Sequence, residues 1–193
     1  KGINALNSVI QLFNGIDALR QHVTPDVKMH GIIVKGGVAA NIVPDEAVAQ
    51  FYLRAETREK VYDVLEKVKK IAEGAALMTG ATLEMDRYEL PYDNLKTNET
   101  LSEMFNENLR TLGITEINAP EKSLASSDIG NVSHVAPTIH PYIGLTDCPL
   151  SGHTTKMADT TTTDKAHDRL LVAALALAYT GYDVIVKNED LRK

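Results

Sequence analysis

Between Ile3 and Leu90 the spacing of apolar residues changes from helical to strand-like, back to helical, and back again, and few architectures accept that order. Ile3, Leu6, Val9, Ile10, Phe13, Ile16 and Leu19 recur every three or four positions, the signature of a one-faced helix that ends before Pro25. Val27 to Val34 and Ala47 to Leu53 are β-like runs. In the second run Val48, Gln50, Tyr52 and Arg54 alternate with Ala47, Ala49, Phe51 and Leu53, as expected of a sheet covered on one face. Thr57 is a natural N-cap for a second helix through Val61, Val64, Leu65, Val68, Ile71, Ala72, Ala75 and Met78, with Gly80 as its stop. Thr82 to Leu90 reads as a third strand. Helix, strand, strand, helix, strand lacks one leading strand to complete a ferredoxin-like layer. The chain opens on Lys1 rather than Met, and periodicity starts at once, so the expectation is a piece of a longer protein.

The second half is organised differently. Pro91 to Thr97 reads as a boundary, placing one domain at 1–92 and another at 93–193. A helix spans Asn98 to Leu112 and is closed by Gly113. Residues 115–135 read as irregular, Thr138 to Leu145 as a short β-like run, and Thr146 to Thr163 as a long loop of the kind that carries function. The last helix runs from Asp164, capped by Thr163, to about Val186. Its Ala and Leu on most sides predict burial against a sheet.

Charge narrows the function. With 20 Lys and Arg against 26 Asp and Glu, the net charge of −6 argues against a nucleic-acid partner. Cys148 is the single cysteine, which rules out a disulfide framework and fits a cytoplasmic setting. The longest apolar run, Leu170 to Ala178, is short and flanked by charges, so no membrane span is expected.

Several residues have chemistry worth weighing. His153, in Ser151-Gly-His-Thr154, suits a metal ligand or a base, or is a surface-loop histidine. No His-x-Asp, His-x-Glu-x-x-His or Cys-x-x-Cys spacing accompanies it, so any metal needs ligands from elsewhere. Gly36 and Gly37 let the backbone approach a ligand closely, and Asn41 either donates to a carboxylate or oxyanion or simply forms a turn. Arg54 offers a guanidinium fork to a carboxylate, or pairs with Glu56 or Asp45. Ser127 and Asp128 sit in a tight turn, with no nucleophile elbow around them. His140, ahead of Pro141, either faces a cleft or is held structurally.

Together these stretches resemble a known family. Lys35-Gly-Gly-Val-Ala-Ala-Asn-Ile-Val-Pro-Asp45, followed by an alternating strand ending in Arg54 and a capped helix, is similar to the lid, or dimerisation, domain of the co-catalytic di-zinc amidohydrolases and metallopeptidases. That family includes aminoacylase, glutamate carboxypeptidase and p-aminobenzoyl-glutamate hydrolase. Ser126-Ser-Asp-Ile-Gly-Asn-Val-Ser133, Thr138-Ile-His-Pro-Tyr142 and Ser151-Gly-His-Thr154 resemble the end of its catalytic domain. The resemblance implies an α+β chain: a ferredoxin-like lid at 1–92, then the C-terminal part of an α/β catalytic domain at 93–193. It implies an enzyme that hydrolyses the amide bond of an N-acyl amino acid or dipeptide-like substrate bearing a carboxylate. Two divalent metals would serve it, zinc first, with manganese or cobalt as alternatives.

On this resemblance His153 is the C-terminal metal ligand and Asn41 the lid asparagine near the substrate. Arg54 is a carboxylate-binding lid arginine, Gly36 and Gly37 are the glycine pair before the asparagine, and Ser127, Asp128 and His140 lie toward the pocket. The family's other metal ligands and its general base precede the segment matching Lys1, so this chain by itself would be inactive. The lid implies a homodimer, with the Ile3–Leu19 helix and the Val48 strand as candidate surfaces. The alternatives are a non-catalytic ferredoxin-like module that dimerises or binds a ligand, and a degenerate family member acting as a scaffold.

Overall fold

The computed structural model describes residues 2–119 and 126–187. Lys1 and part of the 115–135 stretch expected to be irregular lie outside the described residues. The chain divides into two compact units, one of residues 2–94 and one of residues 95–119 and 127–187.

The first unit is two helices on a small antiparallel sheet. Helix α1 (Ala5–Leu19) is capped by Asn4, whose Oδ1 accepts from the Asn7 amide at 3.3 Å. A single 3-10 turn, Arg20–His22, carries the chain off α1 ahead of Pro25. Strands β1 (Lys28–Lys35) and β2 (Val48–Arg54) pair with Met29 opposite Leu53, His30 opposite Tyr52 and Gly31 opposite Phe51. Helix α2 (Arg58–Thr79) begins at the expected cap, Thr57 Oγ1 accepting from the Lys60 amide, and ends at Gly80 with φ +78.

The alternation in β2 does what it predicts. Phe51 and Leu53 pack with Leu12, Leu19, Val23 and Val27 around Ile16, Met29, Val64 and Val68, while Tyr52 and Arg54 lie on the other face. Ile16 and Met29 are 1% exposed, and each such side chain contributes about 1.5–3 kcal/mol of burial. The two helices approach closely at Gly15, where an added Cβ would stand 2.3 Å from Ile71 Cγ2.

The third strand does not form. Residues 82–90 pair with no strand among the described residues, and the sheet holds only β1 and β2. Side chains anchor the segment instead. Tyr88 meets Tyr52 edge-on at 5.6 Å, Arg87 lies over the Tyr62 ring, and Arg58 pairs with Asp93 at 2.6 Å. The structure is thus a mixed helical fold with a small antiparallel sheet.

The second unit is helical. Helix α3 (Glu99–Thr111) is capped by Asn98, whose Oδ1 accepts from Leu101 N at 2.8 Å. The Thr138 β-like run is reduced to one parallel bridge to Thr97. The stretches read as irregular or loop contain two short helices, α4 (Ile129–Ser133) and α5 (Thr155–Thr160). Helix α6 (Asp164–Lys187) starts at Thr163, whose Oγ1 accepts from the Ala166 amide at 3.3 Å.

Phe105 and Leu109 of α3 pack on Ala176 of α6, with Leu112, Ile114, Ile139 and Val172 around them. Asn108 donates to Thr180 Oγ1 at 3.2 Å and to Asp183 Oδ2 at 3.0 Å. Burial of α6 against a sheet is not what the described residues show: they contain no strand in this unit, and most of α6 is open. The membrane expectation also changes. By length and composition α6 is apolar enough to cross a bilayer. Stopping the count at Ala178 understates it, since Thr180, Gly181 and Tyr182 carry the helix on without charge.

Candidate functional site

The loop between β1 and β2 builds a concavity in the first unit. The strand pairing is irregular between Ile33 and Lys35, and Lys35 forms an ion pair with Glu46 across the loop's base. That contact raises the Lys35 pKa, chiefly through the hydrogen bond to Glu46. A turn closes with Ile42 N donating to Ala39 O at 3.0 Å, and Ala5 N donates to Pro44 O at 2.9 Å, which ties the loop to the start of α1.

The result is a cup of about 500 Å³ walled by Gly36, Gly37 and 38–44, with Asn4 and Leu6 of the α1 start beneath. Gly37 has φ +123, and a Cβ there would lie 2.9 Å from Pro44 Cγ, so only glycine fits without strain. No lining residue is charged. The side-chain amides among the lining residues are those of Asn4 and Asn41, groups suited to a carbonyl oxygen or oxyanion.

Gly36, Gly37 and Asn41 are therefore brought together. Arg54 is not among them. It pairs with Lys28 at the far end of the sheet, whereas the cup adjoins Lys35 and Val48, six residues or about 20 Å along the strand. Its guanidinium lies 5.6 Å from the Tyr52 ring centroid.

In the second unit, Ser127 Oγ accepts from Ile129 N at 3.3 Å, and Asp128 precedes α4 without capping it through its side chain. His140 is exposed, with its ring 5.1 Å from that of Tyr142. His153 is also exposed, with φ +57, which a non-glycine residue rarely adopts. It stands just before Thr154, the cap of α5.

Among the described residues no group of three His, Cys, Asp or Glu side chains is placed to hold a metal ion. The residues present do not fit a metal centre by themselves, and no chemical step through a metal follows from them. A second cup, of about 370 Å³, is lined by Thr146, Asp147, Cys148, Leu150, Lys156, Thr160 and Lys165. Asp147 is held below the usual carboxylate range by its hydrogen bond from Lys165. Sequence reasoning missed Asn4 and Leu6 in the first cup. An Asn directly before a periodic helix is a capping signal that would have drawn attention to Asn4.

Comparison with known proteins supplies the frame for these sites. Residues 1–78 match the M20 peptidase dimerisation domain. The chain is 35% identical to the Xaa-Arg dipeptidase of Homo sapiens over 197 residues, covering 99% of this chain and 44% of that protein. It is 34% identical to the mouse (Mus musculus) Xaa-Arg dipeptidase, covering 100% and 46%. It is 32% identical to one of the p-aminobenzoyl-glutamate hydrolase polypeptides of Escherichia coli (strain K12) over 125 residues, 64% of this chain and 26% of that protein.

The chain thus spans a little under half the length of the dipeptidases it matches. The chain belongs to the M20 family of amidohydrolases and metallopeptidases.

Proposed function

We propose that the chain is part of a hydrolase that cleaves the amide bond of a dipeptide-like or N-acyl amino acid substrate. The observation that carries this reading is the alignment of the whole chain with the two Xaa-Arg dipeptidases. Dipeptides ending in arginine are the first substrates to assay. In this reading residues 1–92 are the lid and 93–193 the C-terminal part of the catalytic domain. A strand from outside the described residues completes a ferredoxin-like sheet. Two divalent metals, zinc by preference, are bound when ligands from the rest of the protein join His153. Ser127, Asp128 and His140 lie toward the substrate.

The chain's own residues have definite tasks. Asn41 donates a hydrogen bond to the substrate carbonyl as negative charge grows on its oxygen, and Gly36 and Gly37 let the backbone come close. Arg54 receives the substrate carboxylate as a fork. Its separation from the cup along the sheet supports a homodimer in which Arg54 and Asn41 of one protomer serve different places, with α1 and β2 as the pairing surfaces. The single exposed Cys148 supports a cytoplasmic setting.

The test is turnover of Xaa-Arg dipeptides and N-acyl amino acids by the complete protein with metal supplied. Asn41→Ala should lower kcat by roughly 10²–10³ with little change in KM. A complete, metal-loaded protein that hydrolyses no carboxylate-bearing amide refutes the function. An equal loss in KM alone refutes the role of Asn41.

A further inference from the structure

On β2, Tyr52 and Arg54 share the face turned away from the core. Side chains two residues apart on one strand face stand about 6.7 Å from each other, so the later one can lie against its neighbour's ring. Arg54 does so. Its guanidinium carbon is 5.6 Å from the Tyr52 ring centroid, inside the range of about 6 Å over which an aromatic face attracts a cation. Lys28, opposite Arg54 in the register, is drawn elsewhere, its ammonium donating to the Pro25 carbonyl at 2.9 Å.

The Tyr52 ring is itself held at two points. The Tyr88 ring meets it edge-on, with centroids 5.6 Å apart and 80° between the planes. The Tyr52 hydroxyl donates to the Glu89 carboxylate, and that bond first, then partial burial, pushes the Tyr52 pKa up. Both partners come from residues 82–90, the β-like run that pairs with no strand. The run and its exit are fastened to α2 as well, with Arg87 over the Tyr62 ring and Arg58 paired with Asp93. This segment therefore clasps the ring against which Arg54 rests.

A loose arginine side chain samples many rotamers, and a ligand that must order them loses affinity. A guanidinium already held in one place avoids that loss, and its fork meets a carboxylate with both arms only when its orientation is fixed. We propose that Tyr52 is a positioning residue: clasped by Tyr88 and Glu89, its ring holds the Arg54 guanidinium ready for the substrate carboxylate. This rests on the carboxylate role proposed for Arg54. A ring that only glued residues 82–90 to the sheet would serve stability and leave substrate affinity alone.

The experiment uses the complete protein with metal supplied, an N-acyl amino acid as substrate and its carboxamide as the neutral match. Tyr52→Leu should raise KM for the carboxylate about three- to tenfold, with kcat within about twofold. It should leave the carboxamide's KM, or its inhibition constant where it is not cleaved, unchanged. Tyr52→Phe, which keeps the ring, should recover most of the affinity. A second readout needs no substrate: modification of Arg54 by phenylglyoxal, followed by peptide mass mapping, should be severalfold faster in Tyr52→Leu than in wild type and near wild type in Tyr52→Phe. Equal losses on carboxylate and carboxamide, or a fall in kcat alone, overturn the proposal. An unchanged Arg54 labelling rate in Tyr52→Leu overturns it too. Arg54→Ala is the control for the underlying reading. If it leaves KM for the carboxylate unchanged, the carboxylate role of Arg54 fails, and the labelling rate by itself decides whether Tyr52 holds Arg54. Should Tyr52→Leu fail to fold, Glu89→Gln, which keeps the shape of the clasp and weakens its bond to Tyr52, carries the same two readouts with a smaller factor.

Discussion

Gly36 and Gly37 are adjacent, and the structure assigns them opposite sensitivities. At Gly37 the backbone has φ +123, and a methyl group would stand 2.9 Å from Pro44 Cγ and 3.5 Å from its Cβ. Holding an L-residue there costs about 1–3 kcal/mol, and the contact adds about 1 kcal/mol. Pro44 cannot retreat freely, since its carbonyl accepts from Ala5 N at the start of α1. Loss of unfolded-chain freedom returns about 0.4–1 kcal/mol to any Gly→Ala change. Gly37→Ala should therefore destabilise by about 2 kcal/mol net. At Gly36 the same methyl group meets Leu6 at 3.4 Å and Ile33 at 3.5 Å, ordinary contacts, so Gly36→Ala should be neutral within about 1 kcal/mol. Equilibrium urea unfolding of both variants, followed by far-ultraviolet circular dichroism, reads the difference. Equal midpoints for the two variants would refute the loop geometry, and with it the shape of the cup that Asn41 lines.

Gly15→Ala should destabilise by about 1–3 kcal/mol, because its methyl group would fall 2.3 Å from Ile71 Cγ2. In an Ile71→Ala background the same change should become stabilising by up to about 1 kcal/mol through helix propensity, and a cycle without this reversal of sign contradicts the α1–α2 crossing. Asp26 is held well below the usual carboxylate range, first by the Thr24 hydroxyl, then by Lys60. A lowered folded pKa means stability present above the unfolded value and lost as pH falls through the folded one, so the loss should come on the acid side of pH 4. Asp26→Asn should flatten that acid limb of the stability curve, and an unchanged acid limb would show that the Thr24 and Lys60 contacts do not form in solution.

How far the sequence reaches depends on how local the determinant is. The elements α1, α2, α3 and α6, with caps at Thr57 and Thr163, are legible because period and capping are written within a few residues. The phase of β2 is legible for the same reason, since its alternation puts Phe51 and Leu53 on the core. The lack of a strand at 82–90 is not, because β-pairing is a property of two segments and a single β-like run does not specify its partner. Arg58 finds Asp93 thirty-five positions away, and no short-range pattern announces that pair. In the site, Gly37 and Asn41 were legible from a loop too long for a tight turn. The distance between Asn41 and Arg54 was not, because it follows from strand register. The exposure of α6 escapes periodicity as well: an apolar helix predicts burial but not what buries it.

In the proposed hydrolase this polypeptide contributes one imidazole, His153, to the metal centre, and the other ligands come from elsewhere in the protein. Elemental analysis of the complete protein, wild type against His153→Ala, tests it most directly. Two divalent ions per protomer are expected in the wild type and about one in the variant, with turnover reduced by about two orders of magnitude or more. Identical metal content in the two proteins would contradict it.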